Sequence, residues 1–521
     1  MNFVLMLATV VVMGPCGEKV CEVTPPTAPD QAVVETTNFA GTVAWRFRFD
    51  GTGPRTLKQE ELLFDFGSDF RCWPVAHAQA EYVSRTLDTI EKTSDGPLVV
   101  EGANFVAALG EAGNLGHARL RFARGPRRGT VRAFLENPAT VQAPCTTPWR
   151  YIHTAKDAVA LANAQPAVMD ALNAPSRVAD TSWIKPGKVI RVARLTTKDG
   201  KDCVDFVKRN GLQYIEIDAG WYGPEQKGNP LKPVIDPRRA VKGESFDLQA
   251  ILAYAREQNV GVILYVNAIP LEKNLEAILD QLVAWGVKGV KYGFVRVGRQ
   301  RDRQWVHKAI KAAAARRLMV DIHDEYRLTG IQRTYPHVMT VEGIRGNEEM
   351  PVARHNAALA FTRFLDGPGD YTPCWIYPRI KNTLAHQLAL PAVYTSGWQF
   401  LYWYSVPSQI DASNPALDFW RELPAAFDET RYLQGTIGDT VVVARRKGTT
   451  WYLGALNAGE PRTISVPLAF AGPGSFKVRL FRDADPANAK PCAPVAVETM
   501  TVDTLSVPCA SNGGFAAIIT R

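Results

Sequence analysis

Tyr214-Ile215-Glu216-Ile217-Asp218 is an apolar run closed by a carboxylate, and Val262-Ile263-Leu264-Tyr265-Val266-Asn267 repeats the form further along the chain. Between them, Leu248–Gln258 carries apolar residues at helical spacing. The alternation continues with a helix near Asn274–Trp285, a strand at Val287–Tyr292, a helix near Gln304–Arg316 and a strand at Leu318–Asp324. Short strands this apolar are buried on both faces, as parallel strands are, and the helices between them are the crossovers that parallel pairing requires. Carried through residues 181–420, the pattern predicts a (β/α)8 TIM-like barrel, with a doubly wound sheet as the alternative.

The flanks have a different texture. Residues 25–178 hold short runs that alternate apolar and polar, such as Val43-Ala44-Trp45-Arg46-Phe47-Arg48-Phe49, followed by the turn Asp50-Gly51-Thr52-Gly53. They predict an N-terminal antiparallel β-sandwich with a connector helix at Ala155–Asn173. Residues 421–521 return to short strands and predict a small C-terminal β-sandwich. A multidomain reading also suits a chain of 521 residues, too long for one core.

Composition is that of a folded globular protein, 46% hydrophobic and 21% charged. The net charge of +8 is dispersed, with no basic arm or helix stripe, so no nucleic-acid partner is expected. Residues 1–20 read as a signal peptide whose apolar region is Asn2–Met13, although no Lys or Arg precedes it. Secretion or a periplasmic location follows, and Pro15 before Cys16 makes a lipid anchor the lesser option. No run is apolar and long enough for a transmembrane segment. None of the eight cysteines forms a CxxC pair, which argues against zinc. Cys492 and Cys509 flank a predicted hairpin and are a candidate disulfide.

A barrel of this kind works at the C-terminal ends of its strands. Asp218, Asn267, Asp324 and Glu342 each close an apolar strand, and Glu348 follows Glu342 closely. One such residue alone could simply cap the next helix, but the set can surround one pocket. Clustered carboxylates repel unless a cation offsets them, and an oxygen-rich set without cysteine suits calcium. Paired carboxyl groups are also what glycoside hydrolysis needs, one as proton donor and one to activate water or attack the sugar. Trp221 and Tyr292 lie near these strand ends and are candidate stacking partners for a sugar ring.

Several stretches then become recognisable. Thr329-Gly330-Ile331-Gln332-Arg333-Thr334-Tyr335-Pro336 followed by Glu342-Gly343-Ile344-Arg345-Gly346-Asn347-Glu348 resembles glycoside hydrolase family 97. So do Trp183-Ile184-Lys185-Pro186-Gly187-Lys188, Ile217-Asp218-Ala219-Gly220-Trp221 and Gly367-Pro368-Gly369-Asp370-Tyr371-Thr372-Pro373. The resemblance runs in order from the first sandwich to the last. It implies action on α-glucosides or α-galactosides with calcium in the active site. It makes Glu348 the general acid, Glu342 a calcium ligand and Asp324 a residue that is both base and calcium ligand. Glu348 borders the same metal, and Glu111 resembles the ligand sent in from the N-terminal domain. Asp218, Trp221, Tyr292 and His323 are the expected substrate contacts.

Two departures bear on mechanism. Retaining members carry a nucleophilic Asp where this chain has Gly293, and inverting members carry a base Glu where it has Asn267. The expectation is therefore a calcium-dependent, exo-acting and inverting α-glucosidase-like enzyme acting on terminal sugars of oligosaccharides. In it Glu348 serves as acid and Asp324 as base, while Asn267 holds the water. The alternatives are an α-galactosidase of the same family and a catalytically impaired carbohydrate-binding homologue.

Overall fold

The computed structural model describes residues 9–29 and 32–521. Its centre is a parallel barrel of seven strands among the described residues. These are β1 (Gly187–Arg191), β2 (Tyr214–Ile217), β3 (Gly261–Asn267), β4 (Gly289–Gly293), β5 (Met319–Ile322), β6 (Val338–Val341) and β7 (Trp398–Leu401). Hydrogen bonds link them in the order β6-β5-β4-β3-β2-β1-β7. Outward side chains such as Ile215, Leu264, Val290 and Val320 pack beneath the helices Thr197–Arg209, Leu248–Glu257, Ala268–Ala284 and Gln300–Ala315. Inward, Ile263, Met319, Trp398 and Phe400 fill the floor of the barrel.

The eighth position, between β6 and β7, is held by an irregular segment. Asp370 N–H donates to Val341 O at 3.0 Å and Gly369 N–H to Thr395 O at 2.8 Å. Gly367-Pro368-Gly369 explains the irregularity, since proline brings no donor to a ladder and glycine no side chain to pack. Arg363 compensates. Its buried guanidinium donates to the carbonyls of Val341, Glu342, Gly343, Gly367 and Pro368 at 2.9–3.2 Å.

The flanking domains are antiparallel. The first pairs a five-stranded with an eight-stranded sheet around Trp45, Phe64, Leu98, Phe122 and Ile152. The connector helix Ala158–Leu172 starts at Asp157, whose carboxylate accepts from Ala160 N–H. The last domain packs a six-stranded against a two-stranded sheet over Leu453, Val478, Val507 and Phe515.

Part of the leader-like run lies outside the described residues. Its end, Val10–Met13, pairs with Lys19–Thr24, and Val12 and Val20 are buried in the first sandwich. No helix among the described residues is long and apolar enough to cross a membrane. The Cys492–Cys509 pairing is corrected: all eight cysteines are free thiols. Cys509 faces the C-terminal core, whereas Cys492 packs toward the barrel and donates its S–H to Tyr377 O.

The N-terminal sandwich grips the loop that follows β5. Glu325 accepts from Ala78 N–H at 2.7 Å and pairs with His77 Nδ1 at 3.0 Å. Arg327 donates to Tyr82 Oη and Gly96 O, while Thr329 receives the N–H groups of Gly113 and Asn114. Replacing Arg363 with Met strands several buried carbonyls and should destabilise the protein by at least ~3 kcal/mol. A thermal midpoint equal to wild type would disprove the role given to Arg363.

Candidate active site

The strand ends of the barrel bring polar side chains together in sheet order. Asp218 follows β2, Asn267 ends β3, Gly293 ends β4, His323 and Asp324 follow β5, and Glu342 follows β6. Register keeps them level, with Asn267 opposite Gly293 and Tyr292 opposite Ile322. Glu348 lies on the loop beyond Glu342. Its neighbour Asn347 anchors that loop through N–H to Tyr371 O at 2.9 Å and Nδ2 to Gln387 Oε1 at 2.6 Å.

Lys291, wholly buried on β4, is the central cation. Its Nζ stands 3.8 Å from Asp218 Oδ1 and 4.3 Å from the centre of the Trp403 ring. Arg191 approaches the other Asp218 oxygen at 3.5 Å. Burial works against the charge on Asp218, but Lys291 and Arg191 outweigh it and hold the carboxyl well below its usual range. Beneath it, burial and the negative charge of Asp218 push Glu216 well up.

His323 bridges two acids: Nδ1 lies 3.2 Å from Glu342 Oε2 and Nε2 lies 2.9 Å from Asp370 Oδ2. Burial opposes its charge, yet Glu342, Asp321 and Asp370 raise the imidazole well above its ordinary value. Burial, then Glu348 and Asp324, push Glu342 up to about 8 even with His323 beside it. Asp324 adopts a left-handed backbone at φ 67°. Its N–H donates to Glu342 Oε2 at 2.5 Å, and its Oδ2 accepts from Phe294 N–H.

Ligand atoms of His323, Glu342 and Glu348 lie within 4.8 Å of one another, which makes them a candidate metal group. The charged imidazole already has two acid partners, so the oxygens of Glu342, Glu348 and Asp324 are the better donors. A carboxylate set whose member Glu342 is forced toward its neutral form fits a hard divalent cation.

The space above Gly293 is filled by Tyr265. A Cβ at Gly293 would stand 2.0–2.2 Å from the Tyr265 ring and its Oη. That phenol is buried and has no hydrogen-bond partner. Glu225, from the loop after β2, brings its carboxylate beside Tyr265 and Asn267, and both of its oxygens are likewise buried without a partner.

Three family models match the chain in order: "Glycosyl-hydrolase 97 N-terminal" over residues 21–175, "Glycoside hydrolase 97" over 184–344 and "Glycosyl-hydrolase 97 C-terminal, oligomerisation" over 426–520. A Streptomyces bingchenggensis protein named "Probable retaining alpha-galactosidase" is 36% identical over 497 residues, covering 91% of this chain and 75% of that protein. The chain belongs to glycoside hydrolase family 97. A retaining alpha-galactosidase of Bacteroides thetaiotaomicron is 30% identical over 380 residues, covering 66% of this chain and 55% of that protein. A family 97 enzyme from Pseudoalteromonas sp. strain K8, solved with acarbose, matches in fold with a TM-score of 0.84 at 23% identity, over 98% of this chain and 90% of that one. A beta-arabinopyranosidase matches in fold with a TM-score of 0.77 at 19% identity, over 98% and 86% of the two chains.

Within this family 97 hydrolase, several expected roles change. Glu111 stands outside the metal group, because its Oε2 accepts from Arg150 at 2.9 Å and from Asn114 at 3.0 Å. Asn267 does not hold water through its side-chain oxygen, which accepts Ile269 N–H at 2.9 Å and caps the next helix. Trp221 is core rather than a sugar platform, with Nε1 donating to Tyr265 O. Tyr292 points outward, since strand alternation turns Lys291 and Gly293 in, and its hydroxyl donates to Ala309 O. Phe294, 62% exposed beside Gly293, is the aromatic left facing solvent there. Phe294 and Glu225 were missed because they lie on loops, and Arg191 because β1, Gly187-Lys188-Val189-Ile190-Arg191, is too short and mixed to register as an apolar run.

Adding a methyl at Gly293 drives it into the Tyr265 ring. Gly293→Ala should therefore cost about 1–3 kcal/mol, and the same change should cost less in a Tyr265→Ala background, which is itself destabilised by the cavity left behind. Thermal melting of the single and double variants checks this, and strict additivity would refute the contact.

Proposed function

We infer that this family 97 hydrolase cleaves terminal α-linked galactose from oligosaccharides, with inversion and with calcium. The names of the two relatives support galactose over the α-glucoside expected from sequence. Inversion rests on one observation: the position that would carry an attacking Asp is Gly293, and the Tyr265 ring occupies the space above it. With no carboxylate projecting from β4, water takes the place of a covalent nucleophile.

Glu348 gives its proton to the departing glycosidic oxygen. Asp324 holds and polarises the water from the side of Gly293, its orientation set by Phe294 N–H and by the grip of the N-terminal sandwich on Glu325. Asp218, kept charged by Lys291 and Arg191, is suited to accept hydroxyl hydrogen bonds from the bound sugar. Calcium bound by Glu342, Asp324 and Glu348 would supply the positive charge that offsets their repulsion and orients the sugar. Export to the periplasm or beyond is proposed on the apolar composition of Asn2–Met13 alone, and the pairing of Val10–Met13 with Lys19–Thr24 in the first sandwich speaks against a leader that is removed.

Glu348→Gln should lower the rate on a natural α-galactoside on the order of 10² to 10⁴-fold. An aryl galactoside, whose leaving group needs no proton, should lose far less, and equal losses on both would refute the acid role. Chelation should abolish turnover, calcium should restore it, and Glu342→Gln should remove the calcium binding seen by titration calorimetry. Proton NMR of the first product should show the β-anomer. An initial α-anomer would mean retention, and no turnover on any sugar would favour a binding protein.

A further inference from the structure

An inverting site needs a proton acceptor across the sugar from its acid. Glu348 follows β6. In a barrel of eight positions, the strand four places away from β6 is β2, so the loop after β2 faces Glu348 across the axis. That loop, residues 218–247, supplies two carboxylates to the mouth. Asp218 is committed to Lys291 and Arg191. Glu225 carries no such ion pair: its carboxylate oxygens are buried, without a well-formed hydrogen bond, and the Tyr265 hydroxyl and the Asn267 amide are the polar groups beside them.

The neighbourhood of Glu225 is the one left by the two missing family residues. Asn267, where inverting members place a carboxylate, offers only an amide whose oxygen caps a helix. Gly293 is covered by the Tyr265 ring, and Tyr265 Oη is also unpartnered. Among the described residues, Glu225 takes part in no ion pair. Its carboxyl is instead pushed above the usual carboxylate range by burial and by Asp218, while Tyr265, Asn267 and Arg239 favour the charged form. An acceptor of raised basicity suits general-base work.

We propose that Glu225 is the terminal proton acceptor for the hydrolytic water, replacing from a loop the carboxylate that Asn267 lacks, with Tyr265 positioning it. This deepens the inverting reading and rests on it. The water oxygen bonds to the anomeric carbon from the side of Gly293 while the bond to the leaving oxygen breaks. The leaving oxygen takes the proton of Glu348, and the water proton passes to Glu225. Asp324 accepts the water's second hydrogen bond, and no other reactant is needed.

The test uses the full chain, calcium and p-nitrophenyl α-galactoside, after the wild-type product anomer has been fixed by NMR. Glu225→Ala should lower the rate by about 10²-fold or more, with an unchanged thermal midpoint. Sodium azide, which attacks without giving up a proton, should restore turnover and yield the β-galactosyl azide. Glu225→Gln should lose rate to a similar degree. A Glu225→Ala rate within tenfold of wild type would overturn the proposal, and so would a loss that azide does not rescue. Retention or no turnover by the wild type would remove the inverting reading itself, whereas failure of the Glu225 variants in an enzyme shown to invert removes only the base assignment.

Discussion

Lys291 is the charge on which the active-site half of the barrel depends. It is wholly buried, and Asp218, Glu216, Asp321 and Asp370 all act to keep it charged. Without a cation there, four acids would share a low-dielectric lumen, and an unpaired buried charge costs several kcal/mol. The ammonium also rests on the Trp403 ring at 4.3 Å, so the aromatic floor and the polar mouth meet at one residue. The division of protons follows from this placement. Asp218, adjacent to Lys291 and Arg191, stays ionised. Asp321, deeper and facing Asp370, is pushed up to about 8 by burial and that like charge.

A second layer of control comes from outside the barrel. The loop after β5 carries Asp324, and a left-handed residue on a long loop is a weak support for chemistry on its own. Glu325, Arg327 and Thr329 each hand a hydrogen bond to or from the N-terminal sandwich. The sandwich therefore does structural service for the site without contributing to the metal group. These contacts hold the sandwich against the barrel, the packing that the expected Glu111 ligand was to explain.

The family supplies a scaffold on which mechanism turns on single positions. The relatives named as retaining are 36% and 30% identical to this chain over the aligned residues, and the position at which the family resemblance would put an attacking Asp is Gly293. The glycine leaves no void. Tyr265, two residues before the end of β3, leans across to fill it, and a close-packed interior makes such compensation expected. The same placement of Tyr265 brings its phenol and the Glu225 carboxylate together beside Asn267.

The three-domain order, the parallel barrel and the strand-end acids were legible in the sequence, because each is written in local periodicity. A buried parallel strand must be apolar through its length, and the first polar residue after it marks the mouth. Asp218, Asp324 and Glu342 were placed at the mouth that way, whereas Glu348, on the loop beyond, was singled out by its closeness to Glu342 and by the family resemblance. Which face an aromatic presents was not legible, so Trp221 and Tyr292 were misplaced: side-chain direction depends on exact strand ends and on what packs behind them. Asn267 looked like a water ligand until the helix it caps was in place. Glu225 carried no signal at all, since a loop residue gains its position from contacts with distant strands. Local pattern determined the architecture and most of the acids. Only tertiary packing decided which of them are paired, which are free and what fills the space over Gly293.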